Sequence, residues 1–186
     1  MPQNRGSPSC ERSSPVSLEQ LWAGWRNSYV TAASAAERHG PADEECVFCR
    51  IIASGPPDVD NGIIWRGEHA FVVLNAYPYA SGHVLAMPNR HGDALGALSA
   101  PESAELWWAV RQAIAAVEVA YHPDGVNMGA NLGRAAGAGI PRHLHLHVLP
   151  RWSGDTNFMT TVAGVRVLPE ALPESWARLR AAWPEG

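Results

Sequence analysis

The sequence contains no lysine, because all 14 cationic residues among its 186 are arginine. A chain without a primary side-chain amine cannot form a Schiff base with a substrate, and it lacks the lysine of a phosphate-binding P-loop. A net charge of −4 argues against the broad basic surface with which proteins grip nucleic acid. We therefore expect no nucleic-acid partner, and any anionic ligand must be held in a local pocket.

Long hydrophobic runs are also missing. No uninterrupted apolar stretch reaches the ~18 residues that a membrane span needs, and residues 1–16 lack the apolar centre of a signal peptide. The cysteines, Cys10, Cys46 and Cys49, are too few for a disulfide framework. These absences predict a cytoplasmic protein in a reducing compartment, with no membrane partner.

The length fits one domain, since domains commonly run to roughly 100–200 residues. Residues 1–16 are rich in Ser, Pro and Arg and have little to bury, so we predict a disordered tail before a single domain at 17–186. A first helix of about five turns is predicted to begin after Ser17 and to end at Gly40.

Beyond that helix, strand-like and helix-like segments follow one another without a regular strand–helix–strand repeat. Short apolar stretches predict strands at Ile63–Arg66, Ala70–Asn75, His83–Pro88, Gly125–Leu132 and His143–Pro150. A second long helix is predicted at about 100–121, capped by Ser99 and Glu102, and an amphipathic helical segment at about 169–183. We therefore predict the α+β class, with an antiparallel sheet of about five strands, two long helices and a C-terminal helical segment.

His143, His145 and His147 occupy alternate positions, with apolar residues between them. On a strand, alternate side chains share a face, so the apolar neighbours would enter the core while the imidazoles stand about 6.6 Å apart. Three histidines in a row on one face of a strand are unusual if that face is merely solvated, and they favour a face with a function. Imidazole is largely neutral near pH 7, yet it can accept a proton, bind a metal or attack an electrophile.

Two chemistries fit this row of histidines. Histidines two apart on a strand can supply ligands to a catalytic zinc ion that keeps one position open for water. Alternatively, the middle imidazole can attack phosphorus. The preceding loop favours a phosphate ligand, because its glycines, Gly133, Gly137 and Gly139, let backbone N–H groups approach an anion.

The stretch from His143 to Arg151 resembles the signature of the histidine triad (HIT) family of nucleotide hydrolases and transferases. The segment from Asn75 to His83 resembles the family's Asn-x-x-Pro-x-x-x-Gly-His pattern, and Asn131-Leu-Gly resembles its second nucleotide-contacting strand. The resemblance covers about residues 46–160. Within the family, the leading helix with Leu21-Trp22 and Trp25-Arg26, together with the stretch 150–158, looks most similar to the bacterial diadenosine tetraphosphate phosphorylases. The resemblance implies a HIT-like fold and no organic cofactor.

The resemblance implies a role for each matching residue. His145 would be the nucleophile, His147 would donate to phosphate oxygens, and His83 would brace His147 from the neighbouring strand. Asn75 would hold ribose hydroxyls, and Trp152 can stack on adenine. The candidate catalytic residues are therefore His145, His147, His143 and His83, and the candidate substrate-binding residues are Asn75, Asn131, Gly137, Gly139 and Trp152.

The proposed nucleophile also makes chemical sense. A neutral imidazole needs no base, and a hydrogen bond from its other ring N–H to a backbone carbonyl would fix its tautomer. Water or inorganic phosphate would then release the nucleotide from His145. Many hydrolases of the family carry a glutamine in the glycine loop, where this chain reads Ala138-Gly139-Ile140. Both acceptors therefore stay open.

Cys46 and Cys49 have the spacing by which one turn offers two thiolates to a metal. In some HIT proteins and in the related galactose-phosphate nucleotidyltransferases, a downstream histidine and the first triad histidine complete a structural zinc site. The resemblance therefore implies one zinc ion held by Cys46, Cys49, His91 and His143. The alternative is a pair of buried thiols beside an exposed His91.

The resemblance thus implies a homodimeric enzyme that cleaves diadenosine polyphosphates. Three alternatives stay open: a nucleoside phosphoramidase, a catalytically weak nucleotide-binding module, and a metal hydrolase with His143, His145 and His147 as ligands. The expected partners are a nucleotide substrate, inorganic phosphate if the enzyme is a phosphorylase, and a second copy of the chain.

Overall fold

The computed structural model describes residues 46–155 and 170–184. The tail expected at 1–16 and the helix expected between Ser17 and Gly40 lie outside the described residues, so the domain boundaries stay a prediction. In the part that is described, no helix is both long enough and apolar enough to cross a membrane.

The described residues form a five-stranded antiparallel sheet with three α-helices. The strands are β1 Ile63–Arg66, β2 Ala70–Leu74, β3 Val84–Pro88, β4 Gly125–Gly129 and β5 Leu146–Arg151. The helices are α1 Val47–Ala53, α2 Ala100–Tyr121 and α3 Leu172–Ala182. The strands lie in the order β1-β2-β3-β5-β4, and each neighbouring pair is antiparallel. The predicted α+β class is confirmed, and β5 has a neighbour on each side.

Helix α2 begins where the sequence predicts. Ser99 Oγ accepts a hydrogen bond from the amide of Glu102 at 3.4 Å, and the Glu102 carboxylate accepts one from the amide of Ser99 at 2.7 Å. This reciprocal pair is a capping box. The helix ends at His122, which is left-handed with φ 45° and precedes Pro123. The buried face of α2, which consists of Leu106, Ala109, Val110, Ala113, Ala116 and Val117, packs on the sheet.

Both faces of the sheet are covered, and this decides where the histidines lie. Alternate residues of a strand point to opposite faces. Val72 therefore joins the hydrophobic cluster under α2 and α3, whereas its neighbour Phe71 joins the cluster under α1. As the sequence predicts, the residues between the histidines enter the first cluster; these are Leu144, Leu146 and Val148.

The prediction that all three histidines lie within one strand is wrong, since β5 begins only at Leu146. The pairing of Ala86 with Leu146 places Pro88 opposite Leu144. Proline has no N–H to donate to a ladder, so regular pairing ends there. The amide of Leu144 bonds instead to the carbonyl of Gly92 at 2.6 Å. The bounds of three other strands differ slightly from the prediction: β2 ends at Leu74, β3 begins at Val84 and β4 ends at Gly129.

Candidate functional site

The site is built from β5, the segment that leads into β5, and the turn before β3. His147 lies on β5 opposite Leu85 of β3. Because β3 pairs with β5, the turn before β3 lies close to His147, and His83 Nε2 lies 2.9 Å from His147 Nδ1. The rings of His145 and His147 have centroids 5.1 Å apart. Three of the four predicted catalytic residues are therefore neighbours.

His145 is held in a single tautomer. Its Nδ1 lies 2.8 Å from the carbonyl oxygen of His143 in a buried setting. A carbonyl oxygen only accepts, so Nδ1 carries the proton and donates it. The lone pair of the ring therefore belongs to Nε2, as the sequence argument requires of a nucleophile. The backbone of one triad histidine thus orients the next.

A chain of hydrogen bonds fixes the tautomer of His83. The amide of Tyr77 donates to Asn75 Oδ1 at 3.0 Å, which leaves Asn75 Nδ2 as the donor to His83 Nδ1 at 3.2 Å. The amide of Tyr79 also donates to His83 Nδ1, at 3.1 Å. Because two donors face Nδ1, that atom is an acceptor and the proton of the neutral ring lies on Nε2.

The same reasoning extends to His147. His83 Nε2 donates to His147 Nδ1, so neutral His147 carries its proton on Nε2. This Nε2 is buried and has no hydrogen-bond partner among the described residues. Leaving a buried donor unpaired costs about 1–3 kcal/mol, and such groups call for an explanation such as an absent ligand. An acceptor oxygen of a bound phosphate would satisfy it.

Burial favours the neutral form of His147 and of His143. It lowers the pKa of His147, and the nearby His145 lowers it further. The pKa of His143 is also lowered, first by burial, although the hydrogen bond to the carbonyl of Pro88 opposes the effect. Near neutral pH, both rings are therefore uncharged. A neutral ring suits His147 as the donor of one N–H hydrogen bond, and it suits His143 as a candidate metal ligand.

Helix α1 supplies a side chain that the sequence argument missed. Phe48 is 5% exposed, and its ring centroid lies 5.5 Å from that of His143 and 5.3 Å from that of His145. The phenyl group therefore covers the segment that precedes β5 and excludes water from it. The residue lies between Cys46 and Cys49, so the cysteine motif both offers thiols and packs on the triad. Seven residues are too few for a visible helical period, and this is why α1 was not predicted.

The four residues of the expected metal site do come together. The ligand atoms of Cys46, Cys49, His91 and His143 all lie within 4.8 Å of one another. Three sulfur–nitrogen separations are 3.3, 3.5 and 3.7 Å. A tetrahedral zinc ion with its usual bond lengths places sulfur and nitrogen ligands about 3.5 Å apart. His143 offers Nδ1 to the thiols and bonds through Nε2 to the carbonyl of Pro88 at 2.9 Å, which is the usual outer partner of a metal-binding histidine.

The third alternative from the sequence, a metal held by the whole triad, finds no support. Among the described residues, the cluster capable of binding metal contains His143 but neither His145 nor His147. His145 Nδ1 and His147 Nδ1 are both engaged by hydrogen bonds. The three imidazoles therefore have different partners in the structure.

The glycine loop connects β4 to the segment that leads into β5 and contains two glycines with positive φ. Gly133 and Gly137, with φ of 81° and 94°, flank a 3-10 turn at Arg134–Ala136. Asn131 Nδ2 donates to the carbonyl of Gly137 at 3.5 Å. No atom of the described residues lies within 4 Å of the position that a Cβ on Gly139 would occupy. The loop thus leaves room for a ligand, and the binding roles of Asn131, Gly137 and Gly139 stay predictions.

Trp152 follows β5 in a turn whose backbone amides donate hydrogen bonds to two carboxylates. Its amide donates to Asp155 at 3.2 Å, and the amide of Ser153 donates to Asp124 at 2.7 Å. The hydrogen bond from Ser153 lowers the pKa of Asp124. The indole meets Tyr121 edge to face, with centroids 6.4 Å apart. Its predicted stacking on a base stays a prediction.

Comparison with known proteins agrees with this geometry. The HIT domain family matches residues 57–154. A relative from Mycobacterium tuberculosis named AP-4-A phosphorylase is 35% identical over 167 residues, which are 89% of this chain and 85% of the relative. A Zn-bound histidine triad family protein from Mycobacterium smegmatis superposes with a TM-score of 0.60 at 31% identity, covering 75% of this chain and 94% of the other. A Hit-like protein from Bartonella henselae gives a TM-score of 0.61 at 24% identity over 75% and 97% of the two chains, and shows the fold alone.

Proposed function

This chain belongs to the HIT domain family, and we propose that it is a nucleotidyl hydrolase or transferase that cleaves diadenosine polyphosphates through a nucleotidyl-histidine intermediate. One observation carries the proposal. His145 offers a lone pair on Nε2, and the adjacent His147 offers a buried N–H on its own Nε2. A nucleophile beside a donor for the phosphate oxygens is what attack on phosphorus requires.

The proposed reaction has two steps. His145 Nε2 attacks the α-phosphorus, a phosphorus–nitrogen bond forms, and the bond from phosphorus to the bridging oxygen breaks so that the remaining polyphosphate leaves. Water or inorganic phosphate then attacks the same phosphorus, and the imidazole leaves with its lone pair restored. The N–H of His147 would donate to the phosphate oxygens in both steps. Asn75, Asn131 and Trp152 are proposed to hold the nucleotide.

Inorganic phosphate is the acceptor that we favour. The relative from M. tuberculosis carries the name AP-4-A phosphorylase and aligns over most of both chains. In this chain the loop at Ala138-Gly139-Ile140 has no side-chain amide or hydroxyl, so backbone N–H groups would bind the phosphates.

The test is product analysis by ion-exchange chromatography after incubation with diadenosine tetraphosphate. ADP and ATP that form only when phosphate is present would establish a phosphorylase, whereas AMP and ATP without phosphate would establish a hydrolase. An adenosine phosphoramidate offered in parallel tests the phosphoramidase alternative. Binding of AMP without turnover of either substrate would contradict the proposal and favour a binding module.

The covalent step has its own test. In the variant His145→Ala, turnover is expected to fall about 10³-fold or more, because the intermediate cannot form. The matched control is His122→Asn, which changes an exposed histidine outside the site and suits its left-handed backbone. Turnover and phosphorus labelling of His145→Ala at the level of the control would refute the mechanism.

We further propose one structural zinc ion on Cys46, Cys49, His91 and His143. The ligand spacing supports it, as does the Zn-bound relative from M. smegmatis. The ion would supply a fixed crosslink between α1 and the segment that leads into the triad, with no part in bond breaking.

A homodimer in the cytoplasm completes the proposal. Strand β4 pairs with β5 on one side and forms an edge of the described sheet on the other. Met128 of this strand is 42% exposed. An exposed edge with an apolar side chain suits pairing with a second copy of the chain.

A further inference from the structure

The loop between β2 and β3 carries two tyrosines that differ sharply in their surroundings. Tyr77 is 86% exposed, whereas Tyr79 is 50% exposed. The ring of Tyr79 is nearly parallel to that of His147, at 17° with centroids 5.9 Å apart. It also meets the ring of His83 at 4.8 Å and 47°. One face of Tyr79 therefore covers the hydrogen-bonded histidine pair.

We propose that Tyr79 is a positioning residue, whose ring shields the His83–His147 hydrogen bond from water and whose amide holds His83 in the tautomer that this bond needs. The amide contributes the 3.1 Å hydrogen bond to His83 Nδ1. Both parts of the residue thus act on the N–H of His147. The use of that N–H in phosphate binding rests on the function proposed above.

The hydrogen-bond chain explains why shielding matters. Protonation of His147 would place a second N–H on Nδ1, directly facing the N–H on His83 Nε2. His83 cannot move its proton to Nδ1, because Asn75 Nδ2 and the amide of Tyr79 already donate there. A charged His147 must therefore break the pair and be solvated by water. The ring of Tyr79 lies where it hinders that solvation.

Among the described residues, three positions face His147 most directly. His145 lies in the segment just before β5, His83 lies on the turn before β3, and the residue opposite on β4 is Gly129, which has no side chain to titrate. Burial is the largest cause of the lowered pKa of His147. Removing the Tyr79 ring would relieve part of that burial, so the pKa would rise toward the ordinary ~6.5.

The experiment is an NMR titration of the imidazole protons in the metal-loaded protein, with the His147 signal assigned by its loss in His147→Asn. Tyr79→Ala is expected to raise the midpoint of the His147 titration, and Tyr79→Phe, which keeps the ring, should leave it in place. Tyr77→Ala is the matched control, because it removes an exposed ring from the same loop and retains the backbone amides. Its His147 midpoint should equal that of the unaltered protein.

An unchanged His147 midpoint in folded Tyr79→Ala, or an equal rise in Tyr77→Ala, would overturn the proposal. If Tyr79→Ala fails to fold by circular dichroism, Tyr79→Thr serves the same purpose, since it also lacks a ring. This titration needs no turnover, so it stands apart from the proposed function. If the enzyme is active, the acid limb of kcat/KM should also move to higher pH in Tyr79→Ala, while that of Tyr79→Phe stays.

Discussion

Gly82 shows how one residue beside the site is fixed by both backbone and packing. Its φ is +81°, and a Cβ at this position would lie 2.4 Å from the ring of Tyr121. The variant Gly82→Ala is expected to lower the free energy of unfolding by roughly 2–4 kcal/mol, because left-handed strain and overpacking add. Urea denaturation followed by circular dichroism measures the change.

The variant Gly133→Ala separates backbone strain from overpacking. Gly133 also has φ +81°, but in the part of the chain that the structure describes no atom lies within 4 Å of the position its Cβ would take. The expected cost is the backbone strain alone, about 1–2 kcal/mol. Equal losses in the two variants would mean that the Tyr121 ring moves aside without cost and that packing on Gly82 contributes nothing.

Helix α2 supports the sheet beneath the triad, and its capping box is a measurable part of that support. Ser99→Ala removes the side-chain oxygen that accepts from the amide of Glu102. The free energy of unfolding is expected to fall by about 1 kcal/mol, as is typical for loss of an N-cap hydroxyl. Thermal and urea denaturation both report it. Ser103→Ala, one turn into the same helix, is the control and should be neutral or slightly stabilising; a loss as large as that of Ser99→Ala would argue against the cap.

The elements that could be predicted are those with a local signal. Helix α2 has a capping box and a long apolar period, and its predicted span of about 100–121 matches Ala100–Tyr121. The start of β5 depends on a partner strand, where Pro88 lacks the N–H that pairing would need, and the His143–Pro150 pattern contains no sign of this. The position of Phe48 on two triad rings likewise depends on contacts across nearly a hundred residues of sequence. Spacing identified the triad histidines and the cysteine pair, and the resemblance to the HIT family added His91 and His143 as metal ligands. The direction of each hydrogen bond depends on contacts between distant residues, so it could not be predicted.

At the scale of the whole molecule, the proposed zinc ion ties together segments that lie far apart in sequence. We expect one zinc ion per chain by elemental analysis, and a lower melting temperature after a strong chelator removes it, because metal binding adds to folding stability. Cys46→Ser should lose the ion and melt early even without chelator. Cys10→Ser should keep both the zinc content and the melting temperature, since Cys10 is not among the proposed ligands. Full zinc content in Cys46→Ser would exclude the proposed site.

The proposed dimer would form at the β4 edge of the described sheet. Strand β4 exposes Met128 and pairs through Met128 with Val148 of β5, so the free edge lies one strand from the triad. We expect sedimentation equilibrium to give twice the chain mass of 20.0 kDa. Met128→Glu places like charges from two copies close together at such an edge, and it should shift the population to monomer, more so at low salt because screening is weaker there. Leu172→Glu, which adds the same charge at an exposed apolar residue of α3, should leave the dimer intact. A Met128→Glu protein that stays dimeric would mean that the dimer contact lies elsewhere. An unaltered protein that is monomeric would refute the proposed dimer.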